Sequence, residues 1–181
     1  MPTFQLQFPP QRIEALAGRF PAVDDSGYRA TGAAARARGH YTRGEFIEVC
    51  RWKTPRSAPK VAANKPRIVV EMTGRAFASS DEKQRMEALL ELQGVGVPTA
   101  STLLFFAFPD DYPILDVRAL ESLGVKPRSQ YPVSFWLDYL ATCRDLAARH
   151  DVNIRTLDKA LWQHSKERAA LATTSTGSLR S

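Results

Sequence analysis

Cysteine and histidine, the usual ligands of bound metals, are scarce in this chain. Its 181 residues include two cysteines and three histidines. The histidines, His40, His150 and His164, are scattered and show no ligand-type spacing. Cys50 and Cys143 are far apart and are typical of free thiols in a reducing compartment, although a bridge between them stays open. We therefore expect no metal site, no cofactor and a cytoplasmic location.

Long apolar runs are missing as well. No stretch approaches the ~20 consecutive apolar residues that a membrane-spanning helix needs, and the start of the chain lacks the apolar region of a signal peptide. The chain also has no Gly-x-Ser-x-Gly nucleophile elbow and no phosphate-binding Walker loop. We therefore expect no membrane partner, no elbow-type hydrolysis and no Walker-type nucleotide binding.

The remaining composition is that of an ordinary globular protein. Hydrophobic residues make up 44% of the chain and charged residues 24%, and its length is enough to bury a substantial core. Helical periodicity recurs in most segments, whereas the short run 68–70 is compatible with a strand by composition. The Thr/Ser/Gly-rich tail, residues 172–181, is predicted to be disordered. We predict a single domain over residues 1–171.

The most informative stretch consists of two predicted helices joined by a short turn with two glycines. Residues 81–92 carry apolar side chains at helical spacing and charges elsewhere, which predicts an amphipathic helix capped by Ser79 or Ser80. Residues 99–108 are apolar on almost every side, which predicts a buried helix. The sequence therefore predicts a helix–hairpin–helix over about residues 82–108.

The turn of this hairpin has the chemistry of a phosphate-binding site. Its glycines can adopt backbone angles closed to other residues and can let another backbone approach. The first N–H groups of the second helix are unpaired and carry partial positive charge. Such a turn can hold a nucleic-acid backbone; the alternative is a turn that only packs two helices. The DNA-contacting candidates here are Gln93, Gly94, Val95, Gly96 and Thr99.

Positive charge is concentrated in residues 28–75. This segment contains eleven Lys or Arg and three Glu, so its net charge is +8, whereas the rest of the chain carries −2. A basic block is expected for a polyanion partner, and the alternative is a solvated arginine-rich surface. Within it, Arg51, Lys53 and Arg56 flank Trp52. The cations are candidates for DNA contact, and the tryptophan either stacks on a base or packs in the core.

The residues after the hairpin carry a specific resemblance. Residues 92–100 read Leu-Gln-Gly-Val-Gly-Val-Pro-Thr-Ala, and an apolar helix, a loop with Pro109 and Pro113, and Asp116 ahead of another helix follow. This order resembles the HhH-GPD superfamily of base-excision DNA glycosylases, named for its helix–hairpin–helix, Gly/Pro-rich loop and aspartate. The resemblance covers residues 92–116 and implies an all-α, DNA-glycosylase-like fold.

The resemblance also implies a function and a set of site residues. Such an enzyme flips a damaged or modified base out of double-stranded DNA and hydrolyses its N-glycosidic bond, the first step of base-excision repair. Asp116 occupies the position of the catalytic carboxylate; the alternative is that it serves only as a helix N-cap. The candidates for the pocket that receives the base are Trp52, Tyr112 and Trp136.

Three departures from the superfamily pattern narrow these expectations. Bifunctional members carry a Schiff-base lysine at the position of Pro98, so the chain is expected to be monofunctional unless another lysine, such as Lys53 or Lys126, has taken that role. Two cysteines are too few for the iron–sulfur cluster of several members. Arg118, two residues after Asp116, stands where many members have histidine. A non-catalytic DNA-binding protein and an all-α interaction protein unrelated to DNA remain alternatives.

Overall fold

The structure is a computed structural model that describes residues 3–22 and 25–177, with side chains described as far as residue 172. Within these ranges the chain is all-helical, with ten α-helices, two short 3-10 turns and no strand. The predicted all-α fold class is therefore confirmed. No helix in the described ranges is both long enough and apolar enough to cross a membrane.

The helices follow one another through short connections. The run 68–70 lies inside the fifth helix, so the strand alternative is wrong. The tenth helix continues to Gly177, beyond the predicted end of the domain, and residues 178–181 of the predicted tail lie outside the described residues. The ten helices are α1 (Ile13–Gly18), α2 (Ser26–Arg38), α3 (Arg43–Lys53), α4 (Ala58–Ala62), α5 (Pro66–Ala78), α6 (Glu82–Leu90), α7 (Val97–Ala107), α8 (Val117–Ser122), α9 (Val133–Arg149) and α10 (Ile154–Gly177).

Helix α7 is the centre of the first half of the fold. All of its residues except Pro98 are buried, as its nearly continuous apolar sequence predicts, and α2, α3 and α6 pack around it. The contact with α2 is close at Gly32, where a Cβ atom would overlap the backbone carbonyl of Phe106. The basic segment that includes α2 and α3 is thereby attached directly to the hairpin.

The second half of the fold is built on α10, which packs against α1, α8 and α9. The N-terminal segment closes this side, because the backbone N–H groups of Gln5 and Gln7 donate to the carbonyls of Leu123 and Ser122, both at 2.9 Å. The segment between α7 and α8 crosses from one half to the other. It ends at Asp116, which is therefore located where the two halves meet.

Candidate functional site

Asp116 is the N-cap of α8, and only one of its two carboxylate oxygens takes part in the cap. Its backbone is extended, and its Oδ1 atom accepts a hydrogen bond from the backbone N–H of Ala119 at 2.8 Å. This is the predicted helix N-cap. The Oδ2 atom accepts no hydrogen bond and forms no ion pair within the described residues, and the side chain is only half-buried. Capping therefore leaves one carboxylate oxygen available.

The backbone just before Asp116 is fixed by side chains from three helices. The N–H of Ile114 donates to Oδ1 of Asp158 on α10 at 3.2 Å, and its carbonyl accepts from the hydroxyl of Tyr139 on α9 at 2.9 Å. The N–H of Leu115 donates to Oγ of Ser101 on α7 at 3.0 Å. Because these three anchors belong to different helices, the position of Asp116 depends on the packing of the whole molecule.

Asp116 opens into a cleft rather than into packed side chains. The cleft, called the Asp116 cleft below, has a volume of about 260 Å³. An adjoining cleft of about 230 Å³ shares Asp116 and Lys53 with it and is also lined by Pro98. The lining of the Asp116 cleft combines aromatic rings, carboxylates, cations and one aliphatic side chain: Phe20, Trp52, Trp162, Asp25, Asp116, Asp158, Lys53, Arg155 and Ile114.

Aromatic rings from three parts of the chain form the apolar wall of this cleft. Trp52, at the end of α3, remains 36% exposed, so it is available at the cleft rather than enclosed in the core. Phe20 and Trp162 meet edge to face, with ring centroids 5.1 Å apart. The guanidinium of Arg118 lies 5.0 Å from the centroid of the Trp162 ring, which places this cation beside the aromatic wall.

A partly buried ion-pair network lines the same cleft. Nη1 of Arg155 is 2.6 Å from Oδ2 of Asp158, and Nη2 is 3.6 Å from Oδ2 of Asp25. Burial raises the pKa of the Asp158 carboxyl to about 6, against the opposing effect of the Arg155 charge, and the nearby negative charge of Asp116 raises it further. Both oxygens of Asp158 have partners, whereas Oδ2 of Asp116 has none within the described residues.

Lys53 is the second residue that lines both clefts. It lies at the end of α3 and is half-buried. Burial lowers the pKa of its amine, while the negative charges of Asp116 and Asp158 act in the opposite direction. Within the described residues its amine forms no hydrogen bond and no ion pair. The structure thus brings together Lys53, Trp52 and Asp116, three residues that the sequence analysis assigned to separate roles.

The hairpin turn connects α6 to α7 through residues 91–96 and requires glycine at one position. Gly94 has a φ of +78°, and a Cβ atom there would lie 2.9 Å from both Cβ of Lys60 and the backbone N of Val61. Gly96 has an ordinary φ of −105°, and a Cβ atom would meet only Cδ of Pro98, at 3.8 Å. The expectation of a special backbone conformation is therefore confirmed for Gly94 and wrong for Gly96.

The predicted cap of α6 is also wrong in detail. Asp81, rather than Ser79 or Ser80, accepts from the backbone N–H groups of Lys83 and Gln84, at 2.8 and 3.2 Å. An aspartate at this position can accept two backbone hydrogen bonds with one oxygen, and its charge also suits the helix dipole. α6 and α8 thus begin with the same kind of aspartate cap, although Asp81 lies outside the two clefts described above.

The predicted contact residues of the turn differ in what they leave accessible. Asn64 fixes the turn by exchanging two hydrogen bonds of 2.9 Å with the backbone of Gln93, whose side chain remains exposed. Val95 packs partly against the core. Thr99 is buried, and its hydroxyl pairs with that of Thr54 at 2.9 Å. Of the five candidates in the turn, Gln93 and Gly96 are therefore the exposed ones.

The basic segment, residues 28–75, leaves most of its cations exposed. Lys60 belongs to α4 and lies close to the turn, since a Cβ atom at Gly94 would fall 2.9 Å from Cβ of Lys60. Other basic residues of the same segment are engaged in ion pairs, such as Arg38 with Glu45 at 2.8 Å. Seven cations of the segment are exposed and form no ion pair within the described residues: Arg36, Arg51, Arg56, Lys60, Lys65, Arg67 and Arg75.

Two of the three predicted base-pocket residues are part of the core. Trp136 is completely buried, and its ring stacks near that of Tyr112. The Tyr112 hydroxyl donates to Glu82 at 2.8 Å, and the ring is 3% exposed. Neither residue lines the Asp116 cleft, so their assignment to a base pocket is wrong. Phe20 and Trp162 line the cleft instead, and the sequence contained no local signal for either.

Comparison with known proteins adds no relative. No protein-family profile, no curated protein and no solved structure matches the chain. The described residues also contain no group of three or more His, Cys, Asp or Glu that could hold a metal ion. The functional argument therefore depends on the clefts, the hairpin and the exposed cations of this chain.

Proposed function

We propose that this chain is a DNA-binding protein and a monofunctional DNA glycosylase, which hydrolyses the N-glycosidic bond of a damaged or modified base in base-excision repair. One observation carries the proposal: Asp116, whose Oδ2 atom has no partner within the described residues, lines a cleft with aromatic walls. The position of Asp116 within the HhH-GPD-like pattern adds support. The buried free thiols of Cys50 and Cys143 support action in a reducing compartment, the cytoplasm.

The chemistry follows from where charge develops. When the base leaves, the sugar acquires positive charge in an oxocarbenium-like transition state. A fixed carboxylate can stabilise this cation and can orient or deprotonate the attacking water. The hydrogen bond from Ala119 holds Oδ1 of Asp116, so Oδ2 is the atom that would face the sugar. The flipped base would occupy the Asp116 cleft beside Trp52.

DNA binding would use the hairpin and the exposed cations together. The turn offers the exposed residues Gln93 and Gly96, and a Cβ atom at Gly96 would meet only Cδ of Pro98, at 3.8 Å. The seven exposed cations can neutralise phosphates, which holds the duplex without reading its sequence. The same arrangement supports a non-catalytic DNA-binding protein, in which Asp116 acts only as the N-cap of α8.

Substitution of Asp116 by Asn distinguishes the two functions. Asn caps a helix about as well as Asp, so the stability and the DNA affinity should change little. It lacks the charge that stabilises the sugar cation, so single-turnover excision should fall by about 10²–10³. The measurement is base release from duplex oligonucleotides that carry alkylated, deaminated, oxidised or hypermodified bases, together with thermal melting of each protein.

The matched control is Asp81→Asn, which changes the same kind of cap at the start of α6, outside both clefts. It should leave excision unchanged. Equal excision by wild-type protein and the Asp116→Asn variant would remove the catalytic role of Asp116. If the wild-type protein binds DNA in a salt-sensitive manner but releases no base from any substrate, the non-catalytic function is favoured.

A further inference from the structure

The adjoining cleft differs in charge from the Asp116 cleft, although the two clefts share Asp116 and Lys53. The Asp116 cleft is lined by three carboxylates and two cations, whereas the adjoining cleft is lined by two cations, Lys53 and Arg128, and by one carboxylate, Asp116. A negatively charged group is therefore favoured in the adjoining cleft, and a group that becomes positive is favoured in the Asp116 cleft. The flipped nucleotide of the proposed reaction has a group of each kind, a phosphate and a reacting sugar.

The adjoining cleft also brings the hairpin and Asp116 together. It is lined by Pro98, in the first turn of α7, and by Arg128, Ser129 and Tyr131, from the loop that joins α8 to α9. Asp116 belongs to the same lining. A DNA strand that is held at the hairpin can therefore reach Asp116 through this cleft, and on that path it meets the loop between α8 and α9.

This loop is basic and is anchored on α9. Residues 123–132 contain two cations, Lys126 and Arg128, and no carboxylate. The backbone N–H of Arg128 donates to the hydroxyl of Tyr131 at 2.9 Å. The Tyr131 ring in turn meets the buried ring of Phe135 on α9, with centroids 4.9 Å apart. These contacts fix the part of the loop that lines the adjoining cleft.

The guanidinium of Arg128 is held by an aromatic ring and not by a carboxylate. Its Cζ atom lies 5.4 Å from the centroid of the Phe135 ring, and the residue as a whole is exposed. Within the described residues its side chain forms no hydrogen bond and no ion pair. A guanidinium that rests on a ring keeps its charge and its N–H donors, which suit the oxygens of a phosphate.

We infer that the adjoining cleft holds a phosphate that flanks the flipped nucleotide, and that Arg128 binds this phosphate. This inference rests on the proposed function. A flipped nucleotide turns about its own backbone, so its flanking phosphates stay near the mouth of the site while the base enters. The charge of Asp116 repels these phosphates, and the charge of Arg128 offsets the repulsion in the cleft that both residues line. Lys126 lines a different cleft, with Gln7 and Gly124.

The test measures binding to a duplex that contains one tetrahydrofuran residue, an abasic analogue that has no base to release. Each phosphate beside the analogue is replaced in turn by an uncharged methylphosphonate. For the wild-type protein, one of these replacements should weaken binding by about fivefold. In Arg128→Ala the same replacement should weaken binding by less than about twofold, because the cation that binds this phosphate is absent. Arg128→Lys keeps the charge and should retain part of the effect.

The matched control is Lys126→Ala, which removes the same charge from the same loop but outside both clefts that contain Asp116. It should show the full wild-type effect of the methylphosphonate. A second control is the duplex with the methylphosphonate but without the abasic analogue. It should bind every variant as tightly as the unmodified duplex does, because nothing fixes the position of the protein along it. Thermal melting of each variant checks that the fold is intact.

The outcomes separate this inference from the proposed function. An effect of the methylphosphonate that persists in Arg128→Ala, or that disappears equally in Lys126→Ala, overturns the role of Arg128 even if base release is observed. An effect that is lost in Arg128→Ala alone supports it, and if the wild-type protein releases no base from any lesion, that result counts against the glycosylase alone. The absence of any effect in the wild-type protein also overturns the inference, and no folding defect of a variant can hide it.

Discussion

At the scale of single residues, surroundings give two aspartates of the same cleft different properties. Asp116 is half-buried and has one oxygen without a partner within the described residues, whereas Asp158 is buried and both of its oxygens have partners. The oxygen available to a bound molecule is therefore that of Asp116. Asp158 holds Ile114 and Arg155 instead, and so positions the segment that carries Asp116.

The pKa of Asp158 predicts a measurable pH dependence of stability. Its folded-state pKa is about 6, against 3.8 as an ordinary value, so between about pH 4 and 6 the folded protein retains a proton that the unfolded chain has lost. This contribution to stability is largest at or below about pH 4 and is lost as the pH rises through 6. Asp158→Asn removes it, so the free energy of unfolding of the wild-type protein should fall relative to the variant by up to about 3 kcal/mol over this window.

Urea unfolding of both proteins at each pH measures this difference. Arg38 lowers the pKa of Glu45 and Arg19 lowers that of Glu167, so both carboxylates make stability rise with pH, opposite to Asp158. Their contributions are the same in both proteins and cancel in the difference between the two free energies of unfolding. A difference that stays constant from pH 4 to 6, or that grows in favour of the wild-type protein, would show that Asp158 does not take up a proton in this window.

At the scale of elements, local patterns predicted the helices but not the composition of the cleft. The apolar sequence of α7 predicted its burial, and the apolar spacing in residues 81–92 predicted α6. The cleft depends on the face of α10 that carries Arg155, Asp158 and Trp162 meeting the end of α3. That meeting is a long-range contact, which no periodicity specifies, and so Phe20 and Trp162, the other aromatic residues of the cleft, were missed.

The hairpin provides a prediction that separates its two glycines. In Gly94→Ala the new Cβ would crowd Lys60 and Val61, and alanine would have to adopt a left-handed conformation, so we expect a loss of about 1–3 kcal/mol in stability. Gly96→Ala should cost less than Gly94→Ala, because its φ is ordinary and the new Cβ would make only a van der Waals contact, with Cδ of Pro98 at 3.8 Å. Urea unfolding at neutral pH tests both.

Gly96→Ala is then a probe of binding that leaves the fold intact. If a phosphate approaches the start of α7, the added methyl group should weaken DNA affinity while the melting temperature is unchanged. A Gly96→Ala variant that binds DNA as tightly as the wild-type protein would indicate that the turn only packs α6 against α7. A Gly94→Ala variant with wild-type stability would contradict the geometry of the turn.

At the scale of the whole molecule, charge is divided between two surfaces. Residues 28–75 carry a net +8, and seven of their cations are exposed without ion pairs within the described residues. The Asp116 cleft, in contrast, is lined by three carboxylates and two cations. A polyanion is therefore attracted to the surface near the hairpin, while the cleft is suited to the positive charge that develops on a sugar during base release.

This division predicts how DNA binding responds to salt. The logarithm of the affinity should fall linearly with the logarithm of the salt concentration, with a slope of about −0.9 for each phosphate that the protein neutralises. The double variant Arg56→Ala/Lys60→Ala removes two exposed cations of the basic segment, so its slope should be shallower by about 1.8. Lys83→Ala/Arg149→Ala removes the same charge from α6 and α9. It should leave the slope unchanged, since Lys83 already pairs with Glu87 and Arg149 with Asp145.

Fluorescence titrations of a duplex at several salt concentrations measure all three proteins. Equal changes of slope in the two double variants would mean that net charge alone governs binding. If binding by the wild-type protein does not depend on salt, an interaction protein unrelated to DNA is favoured.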